Sequence, residues 1–88
     1  MKYRSSVSIY AEMLEIARTG ALKTRIMYGT NQPTGYFKQA LELLIERRLV
    51  SYDRESRLYT TTSKGLQFLK AYDEMMHLLP TLLIQTRR

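Results

Sequence analysis

Four residues near the middle of the chain could together form a surface for nucleic-acid bases: Thr34, Lys38 and Gln39, whose side chains hydrogen-bond to base edges, and Gly35 among them. A glutamine amide suits adenine, a lysine ammonium suits guanine, and a threonine hydroxyl can bond to either. In a helix these positions lie on one side, away from the apolar residues. Such a surface fits a groove of DNA, although an ordinary solvated helix face would have similar residues.

The helix that would carry this surface spans about residues 33–47. Pro33 is expected at its first position, where the missing N–H costs nothing. Its apolar residues recur at the spacing of a single buried face: Phe37, Ala40, Leu41, Leu44 and Ile45. Arg47 and Arg48 fall at its carboxyl end, where the helix dipole favours positive charge, so they are not assigned to DNA.

A shorter helix over about residues 22–28 precedes it. Leu22, Ile26 and Met27 form its apolar side, and Gly29 is expected to take a positive φ and close it. A short turn then leads into the second helix. Two helices joined in this way predict a helix-turn-helix, with an ordinary helical hairpin as the alternative.

The elements on either side complete a small domain. A first helix over about residues 6–18 is expected to be scaffold, and Gly20 to stop it. After the second helix of the motif, alternating β-branched and aromatic residues predict a β-hairpin over about residues 49–62. Arg54 and Arg57 lie near its tip. They could reach phosphates, or they could serve solubility alone.

The last predicted helix runs over about residues 63–79 and is too apolar for one small core. One row of residues should pack on the domain: Leu66, Leu69 and Met76. A second row should contact another copy of the chain, and it comprises Phe68, Tyr72, Met75, Leu79 and Leu82. Met76 lies next to this row and is expected to contribute to the same contact. We therefore expect a homodimer. Pro80 is expected to kink or end the helix near Leu79, leaving residues 80–88 as a tail.

Composition narrows the possible functions. The chain has 88 residues, 14 Lys and Arg against 8 Asp and Glu, and a net charge of +6, which favours a polyanionic partner. It has no cysteine and one histidine, so neither a zinc site nor another cofactor is expected. His77 is expected at the surface or in a dimer interface, and no residue pair suggests catalysis. Neither a membrane span nor a signal core is present, so the chain is expected in the cytoplasm, associated with the nucleoid.

The order of these elements resembles the winged helix-turn-helix proteins of archaea, a family of small basic Sulfolobus chromatin proteins and predicted transcriptional regulators. The resemblance rests on the segment Lys23–Tyr28, then Asn31, Phe37-Lys38, Leu41-Glu42, Leu44 and Leu49-Val50. It rests also on the corner Tyr59-x-x-Thr62-x-x-Gly65-x-x-Phe68-Leu69, with Tyr72 beyond it. It implies an α+β, mainly helical fold with a three-helix core, a two-stranded wing and a C-terminal dimerisation helix.

The resemblance also implies binding of double-stranded DNA, with the second helix of the motif in the major groove. Lys23, Arg25, Arg54 and Arg57 are then expected on phosphates, which position a protein without reading sequence. We expect a homodimeric transcriptional regulator with no small-molecule ligand. The alternatives are a sequence-nonspecific chromatin protein and a winged helix that docks other proteins.

Overall fold

Over residues 6–87 the chain folds into four α-helices and one β-hairpin. The computed structural model describes the backbone of residues 6–87 and the side chains of residues 6–79. In chain order the elements are α1 (Ser6–Ile16), a 3₁₀ turn (Ala17–Thr19), α2 (Lys23–Thr30), α3 (Thr34–Glu46), β1 (Val50–Asp53), β2 (Leu58–Thr61) and α4 (Ser63–Arg87).

Gly20 ends the first helical segment, as predicted. Its φ of 96° is open to glycine and strained for other residues, and its N–H bonds to the Ala17 carbonyl at 3.1 Å. The next residue, Ala21, then pairs with Tyr59 of β2 through two backbone hydrogen bonds of 2.9 and 2.8 Å. The segment between α1 and α2 is therefore attached to the hairpin as a third, one-residue strand.

The end of α2 differs from the prediction at Gly29. This residue is helical, and Asn31 closes the helix with a φ of 54° and an N–H bonded to the Met27 carbonyl. Asparagine tolerates this left-handed conformation better than most residues. Gly29 instead permits close packing, because a Cβ there would lie 2.5 Å from the Ile16 Cδ1 atom of α1.

The start of α3 also differs, by one residue. Pro33 is the N-cap rather than the first helical residue, with an extended ψ of 146°. Its carbonyl accepts the first helical hydrogen bond, from the Phe37 N–H at 2.9 Å. The helix therefore begins at Thr34, which brings the predicted base-reading residues into its first turns.

At its other end α3 stops in a Schellman motif. Arg48 takes a φ of 62°, its N–H bonds to the Ile45 carbonyl at 3.0 Å, and the Leu49 N–H bonds to the Leu44 carbonyl at 2.8 Å. Glycine is the usual residue at the left-handed position of this motif. The chain has an arginine there.

The hairpin pairs β1 with β2 in antiparallel register, from Val50 opposite Thr61 to Asp53 opposite Leu58. The buried Thr61 hydroxyl donates to the Leu14 carbonyl of α1 at 2.6 Å. Together with the Ala21 pairing, this bond fixes the direction in which the hairpin leaves the helices.

The corner between β2 and α4 explains the Thr-x-x-Gly spacing. The Thr62 hydroxyl accepts a hydrogen bond from the Gly65 N–H at 3.1 Å and so caps α4. Gly65 is buried, and a Cβ there would overlap the Leu49 carbonyl oxygen. The first turn of α4 can approach the end of α3 this closely only because residue 65 lacks a side chain.

The helix α4 passes through Pro80 and continues to Arg87, so its predicted end near Leu79 is not observed. Pro80 removes one backbone hydrogen bond of the helix, and the helical residues before and after it continue the helix past this point. The predicted contact residue Leu82 lies outside the side chains that the structure describes.

The core lies between the four helices and the hairpin, with Leu69 as the buried residue of α4. Its largest fully buried apolar side chains are Phe37, Met13, Leu14, Ile26 and Leu44. Two predicted core residues are instead exposed: Leu22, which precedes α2, by 50%, and Ile45, at the edge of the α3 stripe, by 39%. The two rows predicted on α4 do not divide cleanly into a buried row and an exposed row. Leu66 is 41% exposed, whereas Phe68 and Tyr72 pack against the core.

Candidate nucleic-acid interface

The exposed side of α3 is formed as its sequence predicted. Thr34, Gly35, Lys38 and Gln39 are all exposed, whereas Phe37, Ala40, Leu41 and Leu44 behind them are buried. Apart from its chain neighbours and the backbone of its own helix, no described atom lies within 4 Å of the place where a Cβ of Gly35 would be. The first two turns of α3 therefore present polar side chains and open backbone on a helix whose other side is fixed in the core.

The turn before α3 is stabilised by hydrogen bonds of a buried side chain. Thr30 is fully buried, and its hydroxyl donates to the Ile26 and Met27 carbonyls at 3.0 and 3.1 Å. The Gln32 side chain donates to the Thr30 carbonyl at 3.3 Å. The relation between α2 and α3 thus depends on local hydrogen bonds as well as on packing.

The outer side of α2 carries positive charge and no acidic residue among its eight positions. Lys23 and Arg25 are exposed, as predicted. Tyr28 is also 76% exposed and points outward one helical turn beyond Thr24. The sequence does not predict this exposure, because an aromatic residue in an amphipathic helix usually belongs to the core.

The tip of the hairpin presents Arg54 and Arg57 to solvent. Arg57 has a φ of 64°, and its N–H bonds to the Asp53 carbonyl at 2.7 Å, which closes the turn. The Asp53 carboxylate accepts a hydrogen bond from the Ser56 N–H at 3.0 Å. Hydrogen bonds from the Ser56 side chain and backbone lower the pKa of Asp53 from its ordinary value of 3.8.

Charge is distributed unevenly over the described residues. Half of the acidic side chains lie on α1 and α4: Glu12, Glu15, Asp73 and Glu74. A groove between these two helices is lined by three of them together with Arg18 and Lys70. On α3, by contrast, Glu42 and Glu46 follow Lys38 and Gln39 along the same exposed side, so negative charge begins after its second turn.

A second group of cations surrounds the base of the hairpin. Arg47 and Arg48 follow α3, Lys64 lies in the first turn of α4, and all three are exposed. The Thr62 hydroxyl donates to the Arg48 carbonyl at 2.7 Å and thereby connects the two segments. The sequence explains the two arginines by the helix dipole. It does not predict that the segment of Lys64 lies beside theirs, because the bond from Thr62 to Arg48 depends on the fold.

In the described part of the chain, no group of His, Cys, Asp or Glu could hold a metal ion. Over the same residues, no helix is both long and apolar enough to cross a membrane.

Comparison with known proteins agrees with this architecture. Residues 3–79 match the model of the winged helix-turn-helix family. The fold is similar to the crystal structure of Sso10a-2, a DNA-binding protein from Sulfolobus solfataricus, with a TM-score of 0.82 and 17% sequence identity over 96% of this chain and 90% of that one. No curated protein matches the sequence. The predicted fold class and family resemblance are thus confirmed.

Proposed function

The chain belongs to the winged helix-turn-helix family, and on this basis we propose that it binds double-stranded DNA as a small homodimeric transcriptional regulator. The observation that carries the proposal is the exposed side of α3, where Thr34, Lys38 and Gln39 stand on a helix anchored by buried residues. The DNA-binding function of Sso10a-2, which has the same fold, supports the proposal.

In the proposed complex, the first two turns of α3 enter the major groove. Lys38 and Gln39 face base edges, and the missing side chain of Gly35 lets the DNA approach the helix backbone. Glu42 and Glu46 would repel phosphates if the rest of α3 sank equally deep. The helix therefore enters by its amino-terminal half.

Four other exposed cations would hold the DNA backbone: Lys23 and Arg25 of α2, and Arg54 and Arg57 of the wing, which is the β1–β2 hairpin. Contacts to phosphates orient a protein on the duplex, whereas base contacts give specificity. The wing is suited to this task because its base is attached to α1 through Thr61 and to Ala21 through Tyr59.

The homodimer would form through α4. Met75, Leu78 and Leu79 are 43%, 68% and 37% exposed in the single chain. They continue the apolar surface begun by Phe68 and Tyr72, which line a shallow apolar depression together with Val7, Ala71 and Met75. Exposed apolar residues concentrated on one helix are typical of a protein interface.

The first test is a fluorescence-anisotropy titration of generic duplex DNA at several salt concentrations. A dimer with several phosphate contacts per protomer should give a log–log salt slope of about −4 or steeper. A Lys38→Gln, Gln39→Ala variant should bind more weakly. Lys70→Gln, an exposed α4 substitution beside Asp73, is the control and should leave affinity nearly unchanged.

Absence of binding at low salt by the folded protein would reject the DNA proposal. The exposed residues of α4 would then favour a winged helix that docks another protein. If DNA does bind, selection from random duplexes separates a regulator, which enriches a defined site, from an architectural protein, which does not.

A further inference from the structure

The cations at the base of the wing form a surface that the DNA interface described above does not use. We call Arg47, Arg48 and Lys64 the wing-base surface. Two hydrogen bonds hold its two segments together, from the Thr62 hydroxyl to the Arg48 carbonyl at 2.7 Å and from the Thr62 N–H to the Leu49 carbonyl at 3.0 Å. The surface is thus part of the folded corner between α3 and α4.

Two of the three residues are unfavourable where they stand. Arg48 occupies a left-handed position with a φ of 62°, which glycine would adopt without strain. Lys64 lies in the first turn of α4, where the helix dipole disfavours positive charge, and that turn, all of it described, contains no acidic residue. The dipole of α3 favours the charges of Arg47 and Arg48, but it does not explain why a residue with a side chain takes the left-handed position.

The three side chains are also unpaired within residues 6–79. None of them makes a side-chain hydrogen bond or ion pair there, although Arg18 pairs with Glu15 at 3.1 Å elsewhere on the surface. Exposed cations on two segments that are hydrogen-bonded to each other, without acidic partners, repel one another. An anion bound among them would relieve that repulsion.

We propose that the wing-base surface is a second phosphate-binding surface for DNA, separate from the first turns of α3. The inference rests on the proposed DNA-binding function and adds residues to it. The chemistry is that of a phosphodiester backbone, because the surface consists of cations at the end of α3 that stays outside the groove in the proposed complex.

The two surfaces lie at opposite ends of α3. At a helical rise of about 1.5 Å per residue, Lys38 and Arg47 are separated by about 13 Å along the axis, with Glu42 and Glu46 between them. This separation is close to the major-groove width of about 12 Å. The phosphates could therefore belong to the far side of the same groove or to a second duplex, and both sources offer the same ligand.

The test compares two double variants of the full chain with equal loss of charge. Arg48→Gly, Lys64→Gln removes two cations of the wing-base surface, and glycine suits the left-handed position, so folding is preserved. Arg18→Gln, Lys70→Gln is the control, with both cations on the α1–α4 side. Anisotropy titrations over a salt series should show a slope reduced by about 1.8 per protomer in the first variant, at about 0.9 per contact, and little change in the control.

The number of 12-bp duplexes bound per protomer then identifies the source of the phosphates. An unchanged number, with the reduced slope, assigns the contact to the same duplex; a halved number assigns it to a second one. Equal slopes and equal stoichiometry in the two variants would overturn the inference while leaving the proposed function intact. If the wild-type chain binds no DNA, the proposed function and the inference about the wing-base surface are both rejected.

Discussion

Gly65 is the residue whose substitution the fold should tolerate least at the corner of α4. A Cβ at this position would overlap the Leu49 carbonyl oxygen and lie 2.6 Å from the Thr61 Cγ2 atom. Because backbone cannot move aside cheaply, Gly65→Ala should lower the free energy of unfolding by about 2 kcal/mol. Urea denaturation followed by circular dichroism measures the change.

Gly35→Ala is the matched control, since this glycine lies in the first turn of α3 and no atom outside its own helical turn lies within 4 Å of its missing Cβ among the described residues. Alanine should stabilise the helix by about 0.5 kcal/mol. Equal effects of the two substitutions would mean that the close approach at Gly65 does not limit the fold.

The turn of the wing should respond to acid through Asp53. Hydrogen bonds from the Ser56 side chain and backbone place its folded-state pKa below the ordinary value of 3.8. A lowered pKa contributes stability that is present above pH 3.8 and is lost as the pH falls through the folded-state value. An NMR titration of the Ser56 amide should show a midpoint below pH 3.8, and this transition should be absent in Asp53→Asn. A midpoint at or above pH 3.8 would contradict the stabilisation of the Asp53 carboxylate by Ser56.

At the scale of elements, the wing should act on DNA through its charge rather than through the stability of the domain. The variant Arg54→Gln, Arg57→Gly removes both tip cations, and glycine suits the φ of 64° at position 57. The salt slope for DNA should fall by about 1.8 per protomer, at about 0.9 for each lost phosphate contact. The urea midpoint should stay within error of the wild type.

An unchanged slope in that variant would remove the wing from the interface. Lys70→Gln again serves as the control for the loss of an exposed cation, because Lys70 lies with Asp73 along the groove between α1 and α4.

The helices also show which features of an element its sequence determines. The buried side of α3 was predictable because apolar residues recur along it at helical spacing. The ends of the helices were not. Asn31 rather than Gly29 takes the left-handed position after α2, because Gly29 is needed for contact with Ile16. A tertiary contact thus reassigns a residue that local propensity marks as a helix stop.

For the whole molecule, the order of helices, turn and hairpin was predictable because each change of period is visible in the sequence. The pairing of Ala21 with Tyr59 and the bond from Thr61 to Leu14 were not, since a single bridging residue leaves no pattern. The same limit applies to the interface. The exposed side of α3 follows from its own sequence, whereas the bond from Thr62 to the Arg48 carbonyl, which joins the two segments of the wing-base surface, depends on how α4 packs.

The last prediction concerns assembly. Met75→Glu with Leu79→Lys places charge on the proposed interface, while the new i, i+4 pair supports the helix by about 0.2–0.5 kcal/mol. Both side chains are over a third exposed in the single chain, so the fold should persist and only the dimer should dissociate. Sedimentation should then give the protomer mass of 10.4 kDa in place of twice that value.

Leu66→Glu is the matched control for that variant. It changes another exposed apolar residue of α4 and gains a similar i, i+4 pair with Lys70. Because Leu66 lines the groove between α1 and α4 rather than the Met75 surface, the dimer should remain. Dissociation by Leu66→Glu alone would move the interface to that groove. A monomeric Met75→Glu, Leu79→Lys variant should also lose about half of the DNA salt slope, since each protomer would then bind by itself.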